Sequence, residues 1–399
     1  MSDTRTPDAQ AVAVPGRVSE RPSLLKAKFG KHRTHSGRDF ILDIAFDAAP
    51  GFTILFGASG AGKTTLLDCV AGLITPDAGQ IQIGDRTLFD SFRRIDLPVA
   101  KRRLGYVFQG LALFPHMTVE QNVIYGLNRV PQPARVKATR QILEAFRIAH
   151  LAQRIARQIS GGESQRVALA RTLVTDPEVL LLDEPLAALD GPTKAHIIDD
   201  LREWNRTHQI PILYVTHSRE EVFALGERVI VLQDGRIVAQ GTPHEVMTAP
   251  RQETVAQLAG FENIFDAIVE AVHPERGTMV CRLVADARAS SEKKPPVLIE
   301  TPLVRAELGS ELRVGIRAGD ILLATSSPSG LSARNIIPGK INAVEQRDVM
   351  VIAQVSCGAA MEVHLTLAAR DSLELTPGRE VWLVIKTHSC HLMQRPVQD

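Results

Sequence analysis

Five short apolar runs punctuate the first 250 positions: Phe52–Phe56, Leu104–Phe108, Val179–Asp183, Ile212–Thr216 and Val229–Leu232. Each has the length and β-branched, aliphatic character of a strand buried on both faces. Stretches with helical spacing lie between them, the first over Thr65–Leu73. Strand alternating with helix predicts a mostly parallel α/β sheet over residues 23–250. Residues 116–158 break the alternation with helical patterns and polar loops, which reads as a helical insertion at about 110–160. The character changes after "MTAPRQ" (247–252). From 262 to 399 short runs such as "MEVHLTL" and "VWLVIKT" alternate with Pro-Gly turns at 338–339 and 377–378, predicting a small all-β domain, a barrel in outline. Residues 1–22, rich in Ser, Pro, Asp, Arg and Thr, are expected to be disordered, and "ADARASSEKKPP" (285–296) to be a surface loop.

The first strand runs into "FGASGAGKTT" (56–65). Gly57, Gly62, Lys63 and Thr64 satisfy G-x-x-x-x-G-K-[ST]; Ala58, Ser59, Gly60 and Ala61 fill the variable positions, and Thr65 leads into the helix. A glycine loop between strand and helix turns its backbone N–H groups toward phosphate oxygens at the helix N-terminus. Lys63 then supplies a point charge to the β- and γ-phosphates, and the Thr64 hydroxyl a ligand to Mg²⁺. The competing reading is a chance match in a glycine-rich turn, which average composition produces in roughly one chain of this length in a hundred. The flanking strand and helix favour phosphate. "VLLLDEP" (179–185) supplies the second half of such a site. Its strand carries Asp183 to the C-terminal edge of the sheet, where it would hold Mg²⁺ through water, and Glu184 would polarise an attacking water as general base. Two surface acids at a strand end is the plainer reading, and the upstream loop outweighs it.

Composition narrows the field. The 399 residues are 44% hydrophobic and 23% charged with net charge +1, enough for two or three globular domains. Near-neutrality argues against broad nonspecific nucleic-acid binding. The cysteines at 69, 281, 357 and 390 form no C-x-x-C pair, which fits a reducing compartment without a disulfide framework. No apolar run has the length of about 18 residues that a membrane span needs, and "AQAVAVPG" is too short for a signal-peptide core.

Further motifs follow the phosphate loop in a fixed order: Gln109 closing "YVFQ", "ISGGESQR" (159–166), "LLLDEP", "AALD" (187–190), and His217 after "ILYVT". Over about 230 residues this series resembles the ATP-binding subunits of ABC transporters. The resemblance implies a P-loop ATPase fold with ATP and Mg²⁺ as cofactors. Glu184, His217 and Gln109 would be catalytic; Thr64, Gln109 and Asp183 would surround Mg²⁺. Residues 57–65 with Asp183 would hold the nucleotide, and Ser160, Gly161 and Gly162 would cap the γ-phosphate bound by a second copy. A homodimer closing on two ATP molecules follows. Ser160 and Glu163 also spell a helix capping box, which by itself accounts for both residues. Ile159 and Glu163 depart from the family's usual Leu and Gln; a Glu at this position can turn back onto the cap. For the aromatic that stacks on adenine, the sequence offers Phe29, His35 or Phe40 without deciding. The resemblance also implies two separate membrane permease subunits, docked at the Gln109 loop and "LFPHMTVEQNV" (113–123), an external solute-binding protein, and a peripheral place on the cytoplasmic face of the inner membrane.

"GLSARNIIPGKI" (330–341) and "LTLAARDSLELTPGREVWLVIKTHS" (365–389) resemble the Mop- or TOBE-type, OB-like β domain of molybdate importers, over residues 331–399. That resemblance implies molybdate import, with Ser332, Arg334, Thr366, Lys386 and Thr387 at positions that hold the oxyanion, usually between two subunits. Two cations with short hydroxyl donors suit a tetrahedral dianion. Ala369 stands where the family often has a hydroxyl. The alternative is a domain that only dimerises or regulates, on an importer of sulfate, polyamine or sugar. Soluble ATPases of the family usually join two cassettes or carry coiled-coil arms, and this chain shows one cassette and no heptad run.

Overall fold

The computed structural model describes residues 24–35, 38–127, 130–187, 189–248, 250, 252–284 and 296–393. The expectations for residues 1–22 and for nearly all of 285–296 fall outside them. The chain divides into two compact units between Pro243 and His244.

The first unit is built on an eleven-stranded sheet. Its parallel part runs Arg228–Gln233, Gly51–Phe56, Pro211–Val215, Val179–Asp183, Leu104–Val107, in that spatial order. Every residue of Gly51–Phe56, Val179–Asp183 and Pro211–Val215 is buried, which is why these strands read as unbroken apolar runs. Beyond Arg228–Gln233 the sheet continues through Arg236–Gly241, Arg38–Ala48, Leu25–His35, Ala78–Ile83, Arg86–Asp90 and Ile95–Asp96. Within this wing only the Arg236–Asp43 contact is parallel; the other pairs are antiparallel. The expectation of a mostly parallel sheet is corrected to that extent. Wing strands bury one face only: Leu25, Ala27 and Phe29 point inward while Lys26 and Lys28 are exposed.

The helix Lys63–Ala71 buries Leu66, Leu67 and Val70 in the core beneath the sheet. It stops at Gly72 (φ 81°), where a Cβ would lie 2.5 Å from the Arg102 guanidinium. Arg102 is fully buried and donates to the Cys69 and Val70 carbonyls at 3.0 and 2.8 Å, to the Leu97 carbonyl, and to Asp96. It thereby supplies a donor to the Val70 carbonyl at the helix end and a second one to that of Cys69, which also accepts from Gly72 N–H at 3.2 Å. Between residues 116 and 158 lie the helices Val119–Ile124 and Gln132–Ala145 and three short 3₁₀ turns.

The second unit holds two five-stranded sheets that share one core. Its elements come in two runs of the same order. The first is Asn263–His273, Thr278–Leu283, Leu298–Pro302, Glu311–Ile316, the 3₁₀ turn Ala318–Asp320 and Leu322–Ala324, with one added 3₁₀ turn, Pro274–Arg276, after its first strand. The second is Asn335–Arg347, Met350–Ser356, Ala360–Thr366, Glu380–Ile385, the turn Thr387–Ser389 and His391–Met393, with one added helix, Leu367–Ser372. The runs exchange their last strands: Leu322–Ala324 pairs with Glu380–Ile385, and His391–Met393 with Glu311–Ile316. Each long strand carries a register shift at the equivalent place, between Val269 and Ala271 and between Ile341 and Ala343. Each also opens on a buried asparagine hooked to the other sheet. Asn263 exchanges two hydrogen bonds with the backbone of Glu362 (2.7 and 2.8 Å), and Asn335 two with that of Glu300 (2.7 and 2.9 Å). Each buried amide has both its nitrogen and its oxygen partnered, so the hooks fix how the sheets meet without leaving either atom bare. All four cysteines are free, three of them buried.

Candidate functional site

The phosphate loop leaves the strand Gly51–Phe56 and enters the helix at Lys63. Two of its glycines are sterically required. A Cβ on Gly57 would lie 2.3 Å from the Leu232 carbonyl oxygen, and one on Gly62 (φ 100°) 2.6 Å from the Phe40 ring. The turn at Gly235 braces the loop from behind, donating to the Ala61 carbonyl at 3.1 Å while accepting from Asp43 N–H at 2.8 Å. Lys63 is buried, and its ammonium donates to the Gly57 and Ala58 carbonyls at 2.8 Å each. Burial holds its pKa below the ordinary lysine value, against the pull of Glu184 and Asp183. Phe29 is buried at 2% exposure and has no face to offer adenine. Phe40 is partly buried behind Gly62, and the His35 side chain lies outside the described residues.

The remaining catalytic candidates gather at the C-terminal ends of three neighbouring parallel strands. The Thr64 hydroxyl donates to Asp183 Oδ2 at 2.9 Å. Burial raises the Asp183 pKa, opposed chiefly by that hydrogen bond. Glu184 sits in the left-handed region (φ 46°), pinned by its N–H to the Val215 carbonyl at 3.1 Å. A non-glycine residue there is strained, and the strain turns its carboxylate out of the strand line. Gln109 Nε2 approaches one carboxylate oxygen of Glu184 and His217 Nδ1 the other, each at 3.4 Å. The geometry fits a nucleoside triphosphate with a hard cation: a glycine-lined turn at a helix N-terminus, a buried lysine, and a hydroxyl–carboxylate pair of oxygen donors. No cluster of three or more His, Cys, Asp or Glu side chains suited to a metal occurs among the described residues.

The signature segment forms its own surface. Ser160 caps the helix Gly161–Leu173 by accepting from Glu163 N–H at 3.3 Å, and Glu163 accepts from Ser160 N–H at 2.7 Å. That backbone donor holds the Glu163 carboxyl below the usual range, so the acidic residue is spent on the cap. Gly161 is open to solvent, whereas a Cβ on Gly162 would meet Thr193 at 2.7 Å. Ser160, Gly161, Gly162, Asp190 and Thr193 help line an open depression of about 420 Å³ that includes no phosphate-loop residue. Asp190 caps the helix Gly191–His208 through Thr193; Ala188 of the same loop lies outside the described residues. Arg171, at the far end of the signature helix, donates to the carbonyls of Leu111 and Ala112 at 2.7 Å each. These two residues have left-handed backbones and follow Gln109 closely, a tie that carries no sequence signal.

In the second unit the oxyanion candidates fall into two groups. Asn335 pairs with Ile385, which sets Arg334 beside Lys386, both exposed, with Ser332 and Thr387 next along their segments. Thr366 pairs with Met350, which pairs with Arg347, at the opposite end of the long strand. Its hydroxyl caps the helix Leu367–Ser372, accepting from Ala369 N–H at 3.2 Å. A single chain therefore does not unite the five. In the first run the place of Arg334 belongs to Glu262, whose carboxylate accepts from Ala318 N–H at 2.8 Å.

The ABC transporter family matches residues 42–187, and the TOBE domain family residues 331–392. A molybdenum import ATP-binding protein, ModC of Rhizobium meliloti (strain 1021), is 39% identical over 350 residues, covering 87% of this chain and 95% of its own. The chain belongs to the ABC transporter family, as one of its ATP-binding proteins. A molybdate/tungstate import ATP-binding protein, WtpC of Pyrococcus horikoshii, is 35% identical over 89% of this ABC chain and 96% of its own. Among solved structures, cbiO1 from Clostridium perfringens, part of the ABC transporter complex cbiONQ, superposes with a TM-score of 0.50 at 29% identity. It covers 57% of this ABC chain and 92% of its own. No helix of the described residues is long and apolar enough to cross a membrane.

Proposed function

We propose that this ABC transporter ATP-binding protein hydrolyses ATP to energise import of molybdate through separate membrane permease subunits. The observation that carries the reading is similarity to a molybdenum import ATP-binding protein along 95% of that protein's length, on a chain whose phosphate loop and acidic strand end are complete. In this reading Lys63 and the loop N–H groups of residues 57–65 bind the β- and γ-phosphates. Thr64, Asp183 and Gln109 would hold Mg²⁺, which when bound would supply positive charge against the phosphate oxygens. Glu184 takes a proton from the attacking water while His217 and Gln109 orient the site from either side. Ser160, Gly161 and Gly162 cap the γ-phosphate held by a second copy, so two ATP molecules are enclosed in a homodimer. The open face of Gly161 and the absence of phosphate-loop residues from that depression support a partner in trans. The subunit works at the cytoplasmic face of the inner membrane, and an external solute-binding protein delivers the anion to the permease.

Arg334, Lys386, Ser332 and Thr387 form one half of an intracellular oxyanion site, and Thr366 of another subunit contributes to the other half. A second reading, a β domain that only dimerises, draws on the commitment of Thr366 to its own helix and the missing hydroxyl at Ala369. Calorimetric titration of the full chain with molybdate, with sulfate as competitor, separates the two. The expected result is saturable binding that sulfate does not displace and that Arg334→Ala and Lys386→Ala abolish. The stoichiometry is expected to be one anion per chain, because Glu262 fills the equivalent place in the first run. Absence of binding, or equal competition by sulfate, would remove the oxyanion site from the β domain and leave it a dimerisation element, with the cargo to be decided by transport assays.

A further inference from the structure

The ATPase unit contains a carboxylate that the chemistry above does not use. Glu221, on the helix Arg219–Leu225, is buried at 3% exposure, and both of its oxygens are engaged. Oε2 accepts from the Tyr214 hydroxyl at 2.9 Å and from Thr216 Oγ1 at 2.7 Å. Oε1 lies 3.4 Å from the Lys194 ammonium. Tyr214 is fully buried, and burial beside this carboxylate drives its hydroxyl pKa well up, so it remains a donor.

These partners surround His217. Thr216 precedes it and Ser218 follows it, and Ser218 N–H donates to Thr216 Oγ1 at 3.0 Å. Ser218 in turn caps the helix that carries Glu221. Glu221 therefore holds both peptide neighbours of His217 and fixes the loop from which the imidazole reaches Glu184. Lys194 comes from elsewhere. It lies in the first turn of Gly191–His208, whose cap is Asp190, and Thr193 beside it packs against Gly162 of the signature. Burying a carboxylate is unfavourable, since it is taken out of water, and apolar packing at the place of Glu221 would avoid that. Its return is directional, since the ammonium ties the histidine loop to the helix that begins at the signature depression.

We propose that Glu221 is a positioning residue for His217, and that its pairing with Lys194 sets the histidine loop according to the seating of the helix Gly191–His208. Engagement of the signature face would thereby reach Glu184 through Thr193, Lys194, Glu221 and Thr216 as one packed series. The inference rests on reading the site as an ATPase.

The test uses the full chain. Glu221→Gln keeps an oxygen acceptor for both hydroxyls and replaces the acceptor facing Lys194 with an amide NH2, which breaks the pairing, while Lys194→Met removes the ammonium and leaves the hydroxyl contacts. Glu221→Gln is expected to melt within about 3 °C of the parent, Lys194→Met to melt lower because the buried carboxylate loses its cation, and both to bind ATP with unchanged affinity. Each is expected to lower kcat by roughly tenfold. The double variant should fall no further than either single one, since both remove the same contact. Parental kcat in either variant, additive losses in the double variant, or a loss confined to KM would overturn the proposal. Should Glu221→Gln fail to fold, Lys194→Met alone carries the test through the same split of kcat from KM. A parent chain with no hydrolysis would instead defeat the ATPase reading.

Discussion

Glu184 stands one residue beyond the end of its strand, in a left-handed backbone that only its contacts hold, with Asp183 buried on one side of that step. At this scale the chemistry was largely legible. Gly57, Lys63, Thr64, Asp183, Glu184 and His217 are close in sequence to the strand ends that deliver them, so local pattern fixes their surroundings. Arg102, Arg171 and Glu221 were not legible. Each matters through a partner dozens of residues away or through burial that composition does not disclose, and a lone Arg or Glu reads as a surface charge. The shifted groups give a pH profile with a definite sign. In the proposed role Asp183 has to be ionised to hold a cation, and burial raises its pKa, so activity is expected to be lost on acidification at a higher pH than an ordinary carboxylate of about 3.9 would give. In its proposed role Lys63 has to be protonated, and its pKa is lowered, so the alkaline loss is expected to begin below the ordinary lysine value of about 10.4. The profile of kcat/KM against pH should therefore be narrower on both sides than unperturbed groups predict. An acid limb at the ordinary carboxylate value would contradict the buried placement of Asp183.

Among the elements, the central strands were readable because burial on both faces leaves an unbroken apolar run, as in Val179–Asp183. The antiparallel wing was not. Its strand Leu25–His35 alternates in and out only over Leu25–Phe29, and so short an alternation with polar outer positions carries a weak signal. The paired runs of the second unit were equally hidden, since an exchange of strands as short as Leu322–Ala324 is decided by register and not by composition. The signature helix, in contrast, announced its own start. Its capping box sets an energetic expectation: Ser160→Ala should cost about 1 kcal/mol of stability, read by chemical denaturation. Glu163→Gln should change stability by less than about 0.5 kcal/mol, because the amide oxygen still reaches the same N–H. The Glu163 carboxyl is depressed in the fold, so its part of the cap is complete above the unfolded pKa and is lost as pH falls through the lower folded value. A Ser160→Ala variant as stable as the parent would mean that the helix end is held by something else.

In the proposed function the whole molecule joins two kinds of anion chemistry on one chain. The first unit presents a phosphate cradle at a helix N-terminus; the second presents Arg334 and Lys386 side by side at a sheet end. Neither site is complete within one copy: the signature depression contains no phosphate loop, and Thr366 lies away from Arg334. That incompleteness is the physical reason to expect a dimer. It also explains what sequence pattern leaves open, since a site shared between copies has no spacing in one chain. The central claim is that ATP hydrolysis at Glu184 moves molybdate across a membrane. The most direct measurement is ATP-dependent uptake of labelled molybdate by proteoliposomes carrying this chain with its permease subunits and solute-binding protein. The account predicts accumulation that sulfate does not compete for and that Glu184→Gln abolishes while ATP binding persists. Hydrolysis without molybdate movement, or undiminished uptake with Glu184→Gln, would contradict it.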